Sequence, residues 1–471
     1  MAQLGTATGP AKLSTVTNLV KKLSDDLDAI ILLPKDRDLA LEELKIYGRD
    51  PKYADPIFTK EGISMLLRHA FHSPSSDTAR AALRVLANAM LLKPETRQVF
   101  VDQGFAPRAC NDLKTESCDT EFLLSRVLFL STYETKVDLK ELIDKHHLAE
   151  RITDNLSRHA KQLSGTSKAK VEPMQDMALI ETLKLLFNIT HYCGDADHIA
   201  PFTPAVPHIV SLLWKQDISS SKPLDPPFGP LINALLNLNL EAEKSQAAIY
   251  PKDDPNKVVT RLIEILDPAM KVYRDNELEP VVTPLISVIR NIHEHAPGAT
   301  KEHIRGLLLP TAEDRENVLG EGSTLSARLL KNSTNPTAPA IREAISHLLF
   351  DMSDRDASKF VENVGYGFAS GFLFQNNVPI PASASEAFSK GDASGEQKPV
   401  NPITGQFIEA EKHEDLPEMT EEEKEREAER LFVLFERLKK TGIIDVQNPV
   451  EAAMRQGQFR ELKDDEVEEL E

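Results

Sequence analysis

Cysteine, tryptophan, glycine and surplus positive charge are all scarce in this sequence, and each shortage closes off a class of protein. Three cysteines (Cys110, Cys118 and Cys193) in 471 residues make no disulfide framework, which fits a reducing, intracellular setting. A formal net charge of −19 is the wrong sign for a general nucleic-acid binder, which needs a basic surface to displace counterions. No apolar run approaches the roughly 18–20 residues of a membrane span. Met1–Pro10 lacks the basic-then-apolar order of a secretory leader. The expectation is a cytoplasmic chain, extending to work at the cell cortex, with no membrane span and no nucleic-acid partner.

The motifs of common chemistries are missing as well. The phosphate-cradling Gly-x-x-x-x-Gly-Lys-Ser/Thr pattern does not occur, nor does Gly-x-Ser-x-Gly. His-Glu-x-x-His is absent, and His293-Glu-His295 has the wrong spacing to put two ligands on one helix face. Cys193 lies near His191 and His198 but reads as a structural thiol. No catalytic residue, metal ligand set or cofactor is expected, so the chain reads as a binding protein and not an enzyme.

What is present is helical periodicity from end to end, and a recurring unit. Glu181–Thr190 is a leucine-rich helix end closed by Asn188. Ala82-Leu-Arg-Val-Leu-Ala-Asn88, Leu231-Ile-Asn-Ala-Leu-Leu-Asn237 and Pro284-Leu-Ile-Ser-Val-Ile-Arg-Asn291 share its shape. Ser125–Ser131 and Ile345–Asp351 are variants with Ser or Asp in the Asn place. The steps between these polar positions are roughly 40–60 residues, the armadillo/HEAT period lengthened by loops. A helix apolar on nearly all sides has to be buried between neighbours. A side-chain amide at a fixed place on each could bond the backbone of a bound peptide, or could merely satisfy local backbone.

The units fall into pairs: Lys12–Leu33 and Leu39–Tyr47, Glu61–Phe71 and Asp77–Leu92, Thr96–Leu113 and Thr120–Tyr133. Lys161–Pro173 and Lys215–Pro230 read as loops, with shorter connections at Pro251–Pro255 and Pro310–Ser323. The glycines of Val364-Gly-Tyr-Gly-Phe-Ala-Ser-Gly371 superficially match a dinucleotide loop, but no strand precedes them, so a tight turn with close backbone packing is the better reading. The expected fold is all-α: an armadillo/HEAT-like superhelix over 1–374, a flexible linker over 375–418, and C-terminal helices with an acidic tail over 419–471. The last stretch, Asn401–Glu471, holds 21 acidic and 10 basic residues. In it a capping box at Thr420–Glu423 precedes an apolar stripe, Ala428, Leu431, Phe432, Phe435 and Leu438, which packs back on the repeats or reaches a partner. Ser383 and Ser389 in the linker carry the Ser-x-x-acid pattern of phosphorylation. Arg328, Lys331 and Arg342 are the basic residues on which such a phosphate could dock.

A generic armadillo adaptor of the importin type would line its groove with regularly spaced tryptophans. Trp214 is the only one here and lies outside the repeated motif. Several stretches instead resemble the synembryn family: Leu41–Asp50, Arg126–Thr132, Leu183–Thr190, Gly365–Gly371, Asn401–Gly405 and Met419–Ala428. They keep the family order, and the divergence elsewhere resembles a fungal-type member. The resemblance implies a chaperone and guanine-nucleotide exchange factor for heterotrimeric G-protein α subunits (Gα), with nucleotide held by that partner. It implies a helical superhelix whose concave groove grips the C-terminal helix of Gα. At matching positions Lys45, Arg49, Asn88, Arg126, Phe129, Phe187 and Asn188 would line or support that groove, with Asn237 and Asn291 extending the row. Leu431, Phe432 and Phe435 would reach the nucleotide-binding half of Gα.

Overall fold

The computed structural model describes residues 5–163, 173–379, 388–391, 396–411, 420, 424, 426 and 430. One compact unit runs Met1–Ala410, and Glu411–Glu471 is a separate one. Ser383, Leu431, Phe432 and Phe435 lie outside the described residues.

Apolar helices that cannot be left in water dictate the architecture. Seven of them form a single row in chain order: Pro34–Tyr47, Ser76–Leu92, Cys118–Ser131, Pro173–Cys193, Phe228–Leu235, Asp275–His295 and Pro339–Met352, each packed on the next. The recurring polar positions are at or just beyond the C-terminal turns of six of these helices. Partners cover the row from behind, such as Lys60–His72 against Ser76–Leu92 and Lys257–Val272 against Asp275–His295. The result is a helical repeat array of the armadillo/HEAT kind.

Ser76–Leu92 shows how one unit is specified. Ser75 caps it by accepting from the Thr78 N–H at 3.3 Å, which satisfies one orphan donor of the first turn. Between Ala81 and Met90 only Arg84 and Asn88 escape burial. Each fully buried Leu or Val contributes roughly 1.5–3 kcal/mol. The expected single helix Thr96–Leu113 is two, Glu95–Asp102 and Ala106–Asp112. Gly104 sits between them at φ +73, a conformation that ends a right-handed helix.

Within the stretch expected as a linker, 375–418, the described residues 388–391 and 396–410 are ordered against the array. Phe388–Gly391 and Gln397–Val400 pair as an antiparallel hairpin, with Ser389 exposed and opposite Pro399. The chain then straps across the end of the array. Val400 and Phe407 are fully buried. Pro402 and Ile403 carbonyls accept from the Tyr366 and Gly367 N–H groups at 2.7 and 3.2 Å, capping the Tyr366–Gln375 helix, which has no side-chain cap. Arg315 is 3% exposed and donates to the Gly405, Glu362 and Asn363 carbonyls at 2.8, 3.0 and 3.0 Å. Two glycines of the Val364–Gly371 motif, Gly365 and Gly367, therefore serve close backbone packing, while a Cβ at Gly371 would meet nothing. A Cβ at Gly367 would stand 3.1 Å from the Ile403 carbonyl. Average composition concealed this segment, because it is held through backbone groups and only a few apolar anchors.

Candidate functional site

Burial marks out the open face of the row. Along Glu121–Tyr133 only Phe122, Arg126, Phe129 and Tyr133 are not buried. They are spaced i, i+4, i+7, i+11, one helical stripe. Along the next row helix the matching stripe is Ile180, Lys184, Phe187 and His191. Arg84 and Asn88 hold the same place one helix earlier; Asn233, Leu236 and Asn237 hold it one helix later. Aromatic side chains left half-open on two adjacent helices are a surface waiting for an apolar partner.

The two central stripes interlock. Lys184 Nζ lies 5.1 Å from the Phe129 ring centroid, and the Arg126 guanidinium 5.8 Å from that of Phe122. Phe129 meets Tyr133 edge-on at 5.2 Å, and Tyr133 meets Tyr192 at 6.2 Å. Phe187 stacks on His191 at 5.7 Å. Between the helices Arg126 Nη1 and Lys184 Nζ both donate to Oε1 of Glu181, at 3.0 and 2.7 Å.

A buried polar knot stiffens this face from behind. Glu121 is wholly buried. It accepts from His159 Nε2 at 3.0 Å, from Thr182 Oγ1 at 2.8 Å and from Arg158. Burial pushes its carboxyl pKa up, but the His159 hydrogen bond and the His159 and Arg158 charges outweigh that and hold it below the usual carboxylate value. Ser125 and Thr182 hydroxyls meet at 3.1 Å across the same two row helices.

The sequence-derived residues divide accordingly. Arg126, Phe129 and Phe187 come together at the centre. Asn88, Asn237 and Asn291 lie half-buried along the row. Asn188 is 4% exposed, and its amide donates to Thr132 Oγ1 at 2.8 Å, so it stands behind the open face and not on it. Lys45 pairs with Glu42 on its own helix, while Arg49 is exposed just beyond that helix's end. Arg328 bonds Asp267 and the Ser323 carbonyl. Lys331 is exposed. Arg342 lines a cleft of about 330 Å³ with Ser346, Phe368, Phe372, Gln375 and Asn376. Sequence reasoning missed Phe122, Tyr133, Glu181, Lys184 and His191. Only Lys184 and His191 interrupt an apolar run; Phe122 and Tyr133 look like core residues in the sequence, and Glu181 is buried. Among the described residues no helix is long and apolar enough to cross a membrane, and none of them cluster as a metal site.

The chain is similar to known proteins over most of its length. A family model described as guanine nucleotide exchange factor synembryn matches residues 40–458. A synembryn-like chaperone of Schizosaccharomyces pombe is 27% identical over 391 residues, covering 78% of this chain and 70% of that protein. The chaperone Ric-8A of Xenopus tropicalis is 24% identical over 471 residues, covering 90% of this chain and 84% of that protein. Among solved structures, a designed armadillo repeat protein aligns with 61% of this chain and 99% of its own length, at a TM-score of 0.34 and 16% identity. Matched from Ala40 to Gln458, the chain belongs to the synembryn family of guanine nucleotide exchange factors.

Proposed function

We propose that this protein is a chaperone and guanine-nucleotide exchange factor for a G-protein α subunit, working in the cytoplasm in signal transduction. It captures the C-terminal helix of Gα along the open face of the helix row. One observation carries the reading: Phe122, Phe129 and Phe187 stay half-open on adjacent row helices, interleaved with Arg126 and Lys184. An amphipathic helix with acidic groups beside its apolar face suits that surface. Asn88, Asn237 and Asn291 extend the contact, Asn188 supports it from behind, and Arg49 with Lys45 lies towards the N-terminal end of the row.

Such a protein changes no covalent bond, so its effect on nucleotide release is one of differential affinity. It binds the opened, nucleotide-free α subunit more tightly than the GDP-bound one, and that difference is the coupling. The Gα helix can be buried in its own domain or on this row, not in both. Chaperoning follows from the same preference, because a nascent Gα without nucleotide is the state held best. GTP restores the closed form and releases it. Leu431, Phe432 and Phe435 are assigned to the nucleotide-binding half of Gα. Ser383 and Ser389 are assigned as phosphorylation sites, with Lys331 and Arg342 left to receive the phosphate.

Calorimetry of the full chain against nucleotide-free and GDP-bound Gα tests the proposal, alongside the rate of GDP release. Tighter binding of the empty form with faster release is expected. Equal affinities with an unchanged rate would leave the generic adaptor, binding a helix of some other partner, as the better reading.

A further inference from the structure

Three strongly exposed apolar side chains gather at one turn near the start of the array. Helix Gly9–Ala29 ends at Ile30, which is 80% exposed, and Ile31 and Leu33 follow at 68% and 69%. Leu39, in the helix that comes next, is exposed as well. Ile30 stands at φ 48, ψ 56, the left-handed region that a β-branched residue avoids. Glycine or asparagine would hold that cap with less strain. The turn is nevertheless fixed from inside. Asp26 is 2% exposed; its carboxylate accepts from the Leu32 N–H at 2.6 Å and from Arg37 Nε at 2.5 Å, and its carbonyl takes the Ile30 N–H at 2.9 Å. A buried carboxylate and a strained backbone thus hold apolar groups out in water, the reverse of what folding alone favours.

A cationic cleft adjoins this tip. It has a volume of about 260 Å³ and is lined by Leu27, Ile30, Arg37, Arg68, His72 and Pro74, with Asp26 already bonded to Leu32 and Arg37. Arg68 gives Nη2 to Asp28 at 3.0 Å, and that carboxylate is 77% exposed, so the pair is weak and readily exchanged. Among the described residues Nε and Nη1 of Arg68 and Nη1 of Arg37 take no partner. Guanidinium forks of this kind suit phosphate oxygens. Met1–Lys52 holds eight basic and eight acidic residues, against a net −19 for the whole chain, so an anionic surface does not repel this end of the array.

We propose that this edge docks on a phospholipid membrane, with Ile30, Ile31 and Leu33 entering the headgroup–acyl boundary and a lipid phosphate seated in the Arg37–Arg68 cleft. An apolar tip beside a phosphate site matches the order of a leaflet, tails next to headgroups, and that pairing favours lipid over a protein partner. The docking is peripheral and reversible, because three or four apolar side chains bury far less than a spanning helix. It uses none of the open-face residues, so it stands apart from the reading of the protein partner.

The test is sedimentation of the full-length protein with vesicles of phosphatidylcholine, and of phosphatidylcholine mixed with phosphatidylserine, with no G protein present. The mixed vesicles are expected to retain the protein about fivefold better than phosphatidylcholine alone. The double variant Ile30→Asn, Ile31→Asn should lower retention more than about tenfold, while thermal stability holds or rises, because asparagine tolerates the left-handed φ. Arg68→Gln should lower retention on the mixed vesicles about fivefold, the effect of one cation near the surface. If the double variant does not fold, Leu33→Gln carries the same test, and retention must fall there too. No retention of the wild type, or retention that survives the tip substitutions, overturns the proposal, the second by showing adsorption through charge alone. A wild-type dimer in sedimentation velocity that the tip substitutions turn into a monomer overturns it in favour of a second copy of this chain.

Discussion

Asn188 Nδ2 donates to Thr132 Oγ1 across 2.8 Å, from one row helix to the end of the one before it. The next step repeats the bond in weaker form, Asn237 Nδ2 to Thr190 Oγ1 at 3.4 Å. Further on, the Asp351 carboxylate accepts from Arg290 Nε at 2.5 Å. At these three of the recurring positions the polar residue is thus a rung between successive helices, while the Ser131 hydroxyl bonds the Leu128 carbonyl of its own helix.

Asn188→Leu should lose that rung inside a site that is nearly closed to water. Net hydrogen bonds contribute about 1 kcal/mol, and an abandoned buried group costs about 1–3. A loss of roughly 1–2 kcal/mol in urea unfolding is expected. A loss within the error of the titration would mean that the contact is idle.

Phe129→Ala and Phe187→Ala act on the open face. Both rings are half-buried in the free protein, so stability should fall modestly. Affinity for nucleotide-free Gα should fall by about 1–3 kcal/mol each, the range of interface anchors. Arg49→Glu, at an exposed position, should weaken binding with no change in unfolding. Variants that lose stability and affinity in equal measure would place these residues in the scaffold alone.

Arg315→Met removes the donor shared by three carbonyls of the strap and the helix end. Among the described residues no carboxylate pairs with this guanidinium, and burial pushes its pKa down to about 10. Leaving buried carbonyls unpaired should cost about 3 kcal/mol or more. Hydrogen exchange is the sharper measurement: amides of Tyr366, Gly367 and Phe407, bonded across this junction, should lose protection before those of Ser76–Leu92. Uniform loss across the array would show that the strap has no separate stability. Gly405→Ala should weaken the same junction, since φ is +71 there and a Cβ would come within 2.3 Å of Leu319.

His293 sets a pH limit. It is 2% exposed, with neither ring nitrogen hydrogen-bonded. Burial, aided by the Lys301 and Arg305 charges, lowers its pKa to about 4. The folded state therefore binds the proton more weakly than the unfolded one. Stability is complete above the ordinary histidine value of 6.5 and is lost as pH falls from there towards about 4, by roughly 3 kcal/mol. His293→Met should flatten that part of a stability-versus-pH curve. An unchanged slope between pH 6.5 and 4 would assign the acid sensitivity to other groups.

Much of this was legible in the chain, for a local reason. Period and polar interruption lie within one helix, so Asn88, Ser131, Asn188, Asn237, Asn291 and Asp351 announced the array, whereas Arg126, Phe129 and Phe187 were named through the family resemblance and not through the period. Tertiary structure decided what joins positions far apart. Glu181 meets Arg126 across 55 residues, and Arg315 meets Gly405 across 90. Whether Asn188 faces a guest or a neighbour depends on the preceding row helix, which no local pattern contains. The strap is held through backbone carbonyls and N–H groups, which every residue carries, so its docking left little trace in composition. A helix writes its own period into the sequence; its partner is chosen only by which surfaces, brought together, exclude water and satisfy each other's polar groups.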